Sequence, residues 1–179
     1  MPTGLWAGAG ARLALLLAVI AAASAVVARA EGASGPSGLP LPRFVSLKVE
    51  RVNVRAGPTK ENDVNWVYTR LGLPVEIIAE YENWSRIRDW EGAEGWVLHS
   101  LLSGRRTALI AAPAKSVDDF VPLRASAGGQ NGVTARLQAG VLATVKRCSD
   151  NWCRITGEGF DGWIEQERLW GVYPGEKVE

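Results

Sequence analysis

The sequence predicts an all-β chain made of two small barrels in tandem. Three observations predict it. Apolar residues alternate with polar ones at a period of two, short apolar runs are cut by turn residues, and one ordered set of motifs occurs twice. Val52-Asn53-Val54-Arg55-Ala56-Gly57 corresponds to Val121-Pro122-Leu123-Arg124-Ala125-Ser126, and Asn83-Trp84-Ser85-Arg86-Ile87 to Asn151-Trp152-Cys153-Arg154-Ile155. Glu94-Gly95-Trp96-Val97 corresponds to Asp161-Gly162-Trp163-Ile164, and Leu102-Ser103-Gly104 to Leu169-Trp170-Gly171. The offsets are 69, 68, 67 and 67 residues, and the changes of length fall between the matches, where loops absorb them.

The chain opens with Arg12 before an apolar, Ala-rich run over residues 13–27, followed by Ala28-Arg29-Ala30 at the spacing a signal peptidase reads. This predicts a signal peptide over residues 1–30, cleaved after Ala30, with Ala23-Ser24-Ala25 as a second possible site. The run is shorter than the ~20 residues that span a bilayer comfortably, so no stable membrane span is expected after cleavage. The location expected is therefore outside the cytoplasm, and periplasmic in a Gram-negative source. Residues 31–42 are rich in Gly, Ser and Pro and read as a flexible tether.

Residues 43–110 form the first expected unit. Val75, Ile77 and Ala79 alternate with polar neighbours, Glu82-Asn83 turns the chain, and Trp84-Ser85-Arg86-Ile87-Arg88 returns with the same period. Residues 111–119, with Pro113, read as a linker too short to let the units separate far. Residues 120–179 form the second unit. Val141, Ala143 and Val145 alternate, Asp150-Asn151 turns, and Trp152-Cys153-Arg154-Ile155-Thr156 returns. Units of this size bury thin cores and are expected to close on themselves and pack together.

Cys148 and Cys153 flank that second turn in a chain expected to enter an oxidising compartment. A two-residue turn pairs Ser149 with Trp152 and sets the cysteines opposite each other. Opposed strand residues lie ~4.5–5.5 Å apart at Cα, within the range a disulfide accepts, so a bond is predicted.

The opening Val52-Asn53-Val54-Arg55-Ala56-Gly57-Pro58, followed by Trp84, Gly95-Trp96-Val97 and Leu101-Leu102, resembles the bacterial SH3-like domain family. The second copy matches less closely at its opening, where Pro122 and Ser126 replace the usual Asn and Gly. With its closing Leu169-Trp170-Gly171-Val172-Tyr173-Pro174-Gly175, the whole chain is similar to exported proteins with two SH3-like barrels found in many alphaproteobacteria. The resemblance implies an envelope location and a binding role, toward cell-wall peptide or an envelope protein. Residues 59–63 and Trp66 depart from the family pattern and give the first copy a different surface there.

Charge excludes one class of partner. The full chain carries 20 basic and 19 acidic residues, and loss of Arg12 and Arg29 with the signal leaves 18 against 19. Neither unit has the basic excess that nucleic acid requires. Two Cys and the single His99 have no metal-ligand spacing, so neither metal nor cofactor is expected. An enzyme is not expected either: no Gly-x-Ser-x-Gly elbow occurs, the cysteines are committed to each other, and His99, next to Ser100, reads as a solvated turn residue. The pair Asp118-Asp119 reads as solvated charge beside the linker.

Aromatic residues carry the functional signal. Seven of the eight tryptophans follow residue 30. Trp84, Trp96, Trp152 and Trp163 recur in both copies, which suits core or groove wall, whereas Trp66 and Trp90 belong to copy one alone. Trp90, in Asp89-Trp90-Glu91-Gly92, is expected at a loop tip, either exposed there for recognition or folded back over the barrel mouth to close the core. Trp66, Tyr68, Tyr81, Trp84, Trp90 and Trp96 are the candidate ligand-binding residues, and Tyr173 could line the same groove. The alternative to a ligand-binding module is a structural protein that docks into an envelope assembly without a small ligand.

Overall fold

Each copy builds its sheet outward from a two-residue hairpin. In the first, β4 (Pro74–Tyr81) and β5 (Trp84–Arg88) pair with Tyr81 opposite Trp84, so Glu82-Asn83 forms the turn and Glu82 takes a φ of 48°. In the second, β11 (Leu142–Ser149) and β12 (Trp152–Gly157) pair with Ser149 opposite Trp152, with Asp150 and Asn151 at φ 50° and 63°. In the second turn two successive left-handed residues give the twist that matches paired strands, and Asn and Asp adopt that conformation more readily than other side chains; in the first only Glu82 is left-handed.

The computed structural model describes residues 34–111, 120–130 and 132–179. The expected signal peptide, residues 112–119 of the expected linker and the Asp118-Asp119 pair lie outside the described residues. The remaining strands of copy one are β1 (Arg43–Leu47), β2 (Val52–Arg55), β3 (Val64–Tyr68), β6 (Glu94–Leu98) and β7 (Leu102–Ser103). Those of copy two are β8 (Thr107–Ile110), β9 (Phe120–Arg124), β10 (Val133–Gln138), β13 (Phe160–Glu165) and β14 (Leu169–Trp170). Two seven-stranded sheets result, ordered β3-β2-β6-β5-β4-β1-β7 and β10-β9-β13-β12-β11-β8-β14. The second repeats the first strand for strand, and every pairing is antiparallel. Among the described residues no helix is long and apolar enough to cross a membrane.

Each sheet curls over its own core. Val52, Val54, Val75, Ile77, Ile87 and Val97 are buried in the first, and Val121, Leu123, Ala143, Val145, Ile155 and Ile164 in the second. Most sit at alternate positions along their strands, as the period of two requires. Gly162 is needed for closure: a Cβ there would stand 2.8 Å from the Arg124 carbonyl oxygen and 2.8 Å from the Leu123 side chain. Gly95 occupies the same place beside Val54 and Arg55 in the first sheet.

In its strands and its tether the structure differs from the sequence expectation in two places. Thr107–Ile110, placed above in the first unit, is β8 of the second sheet, paired with β11 and β14. All four of its residues are buried because its faces serve different cores. Ala108 and Ile110 enter the second core, while Leu109 enters the first. The described part of the expected tether, residues 34–42, is also no loose spacer. It folds on itself through a Ser34–Pro40 bridge, contains a cis Leu41-Pro42 bond and packs Leu41 on the first core. Ser37 donates to Glu80 from its amide and its hydroxyl, both at 3.0 Å, and Arg43 is ion-paired with the same carboxylate. The C-terminal residues do likewise in copy two, where Val178 and Cys148 exchange backbone hydrogen bonds of 2.8 and 3.3 Å. The copies also hold each other: Thr107 donates to the Gly72 carbonyl at 2.7 Å and Arg70 to the Gly140 carbonyl at 3.1 Å.

Candidate functional site

The register across copy one places Phe44, Glu76, Arg88 and Glu94 on one rung of β1, β4, β5 and β6. Phe44 points away from Val45 and Leu47 and meets copy two, its ring 5.2 Å from Trp170 at 83° and 4.6 Å from Tyr173. Glu76 is buried, and both of its oxygens are engaged. Arg88 donates to one at 2.7 and 2.9 Å, and the Tyr173 hydroxyl to the other at 2.7 Å. Burial, and then the bond to Glu76, push the Tyr173 phenol well above the ordinary tyrosine range. The closing segment of copy two is thereby fixed against copy one. Arg106 holds it from behind through Glu176, at 2.6 and 3.0 Å, and the Gly171 carbonyl at 2.9 Å.

Trp90 stands at the rim of the groove so formed. Asp89 is buried and organises the turn: one oxygen accepts from the Glu91 and Ala93 amides at 3.0 and 2.9 Å, and the other from the Tyr68 hydroxyl at 2.8 Å. With Asp89 folded inward, the Trp90 indole is left 43% exposed. Its ring lies 6.3 Å from Tyr68, which lies 6.1 Å from Trp66. On one side of Trp90 is a groove of about 720 Å³, walled by Phe44, Trp170, Tyr173 and Pro174 and edged by Glu91 and Glu167. On the other is a recess of about 260 Å³ with Tyr68, Leu73 and Leu109.

The six candidate residues are thus distributed unequally. Trp90 borders both recesses and Tyr68 the smaller one, and Trp66 stands behind Tyr68, packed on the first core. Trp84 is buried and floors a separate recess on copy one. Tyr81 is exposed at the β4–β5 hairpin tip, and Trp96 is half-buried opposite Arg55 and Arg86, both away from the groove. Its counterpart Trp163 carries the Arg147 guanidinium 4.8 Å above its ring. Tyr173 does line the groove. Phe44 and Trp170 were not singled out from the sequence, since Phe44 precedes the repeated motifs. For Trp170 a signal existed: it stands where the first copy has Ser103.

His99 is not the free turn residue expected. Its Nδ1 lies 3.2 Å from Ser85 Oγ and its Nε2 3.4 Å from Glu80 Oε1. A carboxylate only accepts, so Nε2–H points at Glu80 and, in the neutral ring, Nδ1 accepts from the hydroxyl. This has the membership of a Ser-His-Glu triad without its access, because Ser85 is fully buried. Burial acts to raise the Glu80 pKa, but the Arg43 and Ser37 hydrogen bonds outweigh it and hold the carboxyl at about 2. The cluster fastens β4, β5 and the N-terminal strap. In copy two the same positions are Cys148 and Cys153, which form the predicted disulfide, and Gln166, which donates to the Glu176 carbonyl at 2.8 Å.

The repeated strand order and paired cores have a counterpart among known proteins: residues 48–104, and again 117–171, match the bacterial SH3 domain. The chain belongs to the bacterial SH3 domain family. This bacterial SH3 protein is similar, at 23% identity over 126 residues, to a Bacillus subtilis (strain 168) protein named putative N-acetylmuramoyl-L-alanine amidase YrvJ. That match covers 68% of this chain and 24% of the amidase, so the chain spans about a quarter of its relative's length. Among solved structures, NlpC2 and NlpC1 from Trichomonas vaginalis match at 14% and 15% identity with TM-scores of 0.32 and 0.31. They cover 72% and 76% of this chain, and 48% of each of those chains is matched.

Proposed function

We propose that this bacterial SH3 pair is an exported, non-enzymatic binding module of the cell envelope that holds peptidoglycan peptide in the groove between its copies. The observation that carries the reading is the Trp90 indole, 43% exposed on a turn that Asp89 and Tyr68 hold rigid, beside a groove of about 720 Å³ to which both copies contribute. That volume is in the range of sites that enclose a small ligand. A preorganised tryptophan offers apolar area and one hydrogen-bond donor at little entropic cost on binding. Glu91 and Glu167 at the edges favour a peptide that carries a free amine. The relative named as an N-acetylmuramoyl-L-alanine amidase supports a wall component as the ligand.

The test is co-sedimentation of the purified protein with isolated sacculi, beside Trp90→Ala. Loss of one anchoring tryptophan is expected to weaken binding by about 2 kcal/mol, roughly thirtyfold, while the protein keeps a cooperative melting transition, because Trp90 lies outside both buried cores. Equal binding by the variant would remove the groove from the reading. Absence of binding by the unmodified protein would transfer the groove to an envelope protein partner.

A further inference from the structure

We propose that the first copy carries a second binding site, separate from the groove, for the free carboxylate of a short peptide. The site is the recess over Trp84, about 210 Å³, formed by Arg51, Asn53, Arg55, Lys60 and the apolar Leu98 and Leu101. Among the described residues three cations and no acid line it. Neither Arg51 nor Lys60 is ion-paired with another described residue, and both are exposed. Glu61 follows Lys60 and feels the Lys60 and Arg55 charges, offsetting part of their repulsion, but it does not line the recess and leaves its interior without an anion. Like charges gathered in a concave site repel one another, and an anion between them removes that cost.

The loop that presents Lys60 is built rigid. Arg55 donates to the Asn62 carbonyl at 2.6 Å, and the Thr59 amide and hydroxyl donate to the Asn62 side-chain oxygen at 3.1 and 3.0 Å. Gly57 leaves the space that side chain enters, for a Cβ there would lie 2.5 Å from the same oxygen. Lys60 is therefore held on a braced loop rather than on a mobile one, which lowers the entropy lost on binding.

Copy two shows that the fold does not require this charge. The β2–β3 and β9–β10 loops have equal length, with Arg55 opposite Val64 in one and Arg124 opposite Val133 in the other. At matching positions Arg51 becomes Phe120, Asn53 becomes Pro122, Lys60 becomes Gly129 and Leu98 becomes Glu165, while Trp152 keeps the place of Trp84. There the loop closes over the indole, and a Cβ on Gly129 would touch the Trp152 ring at 3.6 Å. The bracing arginine recurs and donates to the Gly129 carbonyl at 3.3 Å. The shared residues thus belong to the barrel, and Arg51 and Lys60 belong to a ligand. Leu98 and Leu101 give the residue bearing the carboxylate an apolar wall, which an inorganic anion would leave unused.

The test is a titration of the ¹⁵N-labelled protein followed at the tryptophan indole N–H signals, using N-acetyl-alanyl-alanine, its C-terminal amide and inorganic phosphate as probes. The free acid is expected to shift the Trp84 signal to saturation, with neither the amide nor phosphate doing so at equal concentration. Arg51→Ala and Lys60→Ala should each weaken the acid about fivefold, the estimate for a partly solvated charged hydrogen bond. Arg51→Lys should retain most of it, and Trp90→Ala should change nothing, which keeps this outcome distinct from that of the groove. An equal response to the amide, saturation by phosphate alone, no response to the acid, or undiminished binding by both alanine variants would overturn the proposal.

Discussion

Glu80 shows how one side chain can be both buried and charged. Its carboxylate is shielded from solvent yet accepts from Arg43, from the Ser37 amide and hydroxyl, and faces His99. The folded chain thus holds it at about 2 against an ordinary 4.5. A depressed folded pKa contributes stability that is fully present above the ordinary value and is lost as pH falls through the folded one. The melting temperature should therefore drop between pH 4.5 and 2, and Glu80→Gln should flatten that part of the profile. Parallel loss in both proteins would show that other carboxylates set the acid limit. Residue types alone suggested a solvated His99. Only the register that places Glu80 opposite Ser85 reveals its partners.

At the scale of elements, the closing strands β6 and β13 must run close beside β2 and β9, and glycine permits it. Gly162→Ala would force a methyl group against a backbone carbonyl that cannot swing aside, at an expected cost of about 1–3 kcal/mol, read as a lower urea midpoint. An unchanged midpoint would mean that the strands part more easily than their spacing implies. The hairpins, their turns and the cross-strand disulfide were legible in the sequence because a one-sided strand writes its burial as alternation and its turn in Asn or Asp. Strand β8 was not, since burial on both faces erases the alternation and leaves a short apolar run. The repeated motifs begin only at Val52 and Val121, after both first strands, so nothing in them showed where β8 pairs. For the same reason the groove was half visible. Trp90 could be read as a loop-tip residue and Tyr173 only as a further tyrosine near the end of the second copy, but Phe44 lies on the outward face of an unrepeated strand.

For the whole molecule, the exchange of β8 side chains makes the copies one folding unit. Leu109 sits in the sheet of one copy and the core of the other, so Leu109→Ala should cost about 2–5 kcal/mol and lower the stability of both together. Calorimetry should show a single transition before and after the substitution, whereas two separable transitions would show that the cores melt independently. The straps at the two ends carry a mechanical consequence. Tension reaching copy one from its N-terminal side meets contacts centred on a single carboxylate, through Ser37 and Arg43. Tension from the C-terminal side meets a ladder pair between Val178 and Cys148, on a hairpin closed by a covalent bond. The covalent bond closes the hairpin and does not hold Val178, so both ends are fastened by non-covalent contacts: the N-terminal one rests on charge and slackens as acid discharges Glu80, the C-terminal one on backbone hydrogen bonds that acid leaves in place.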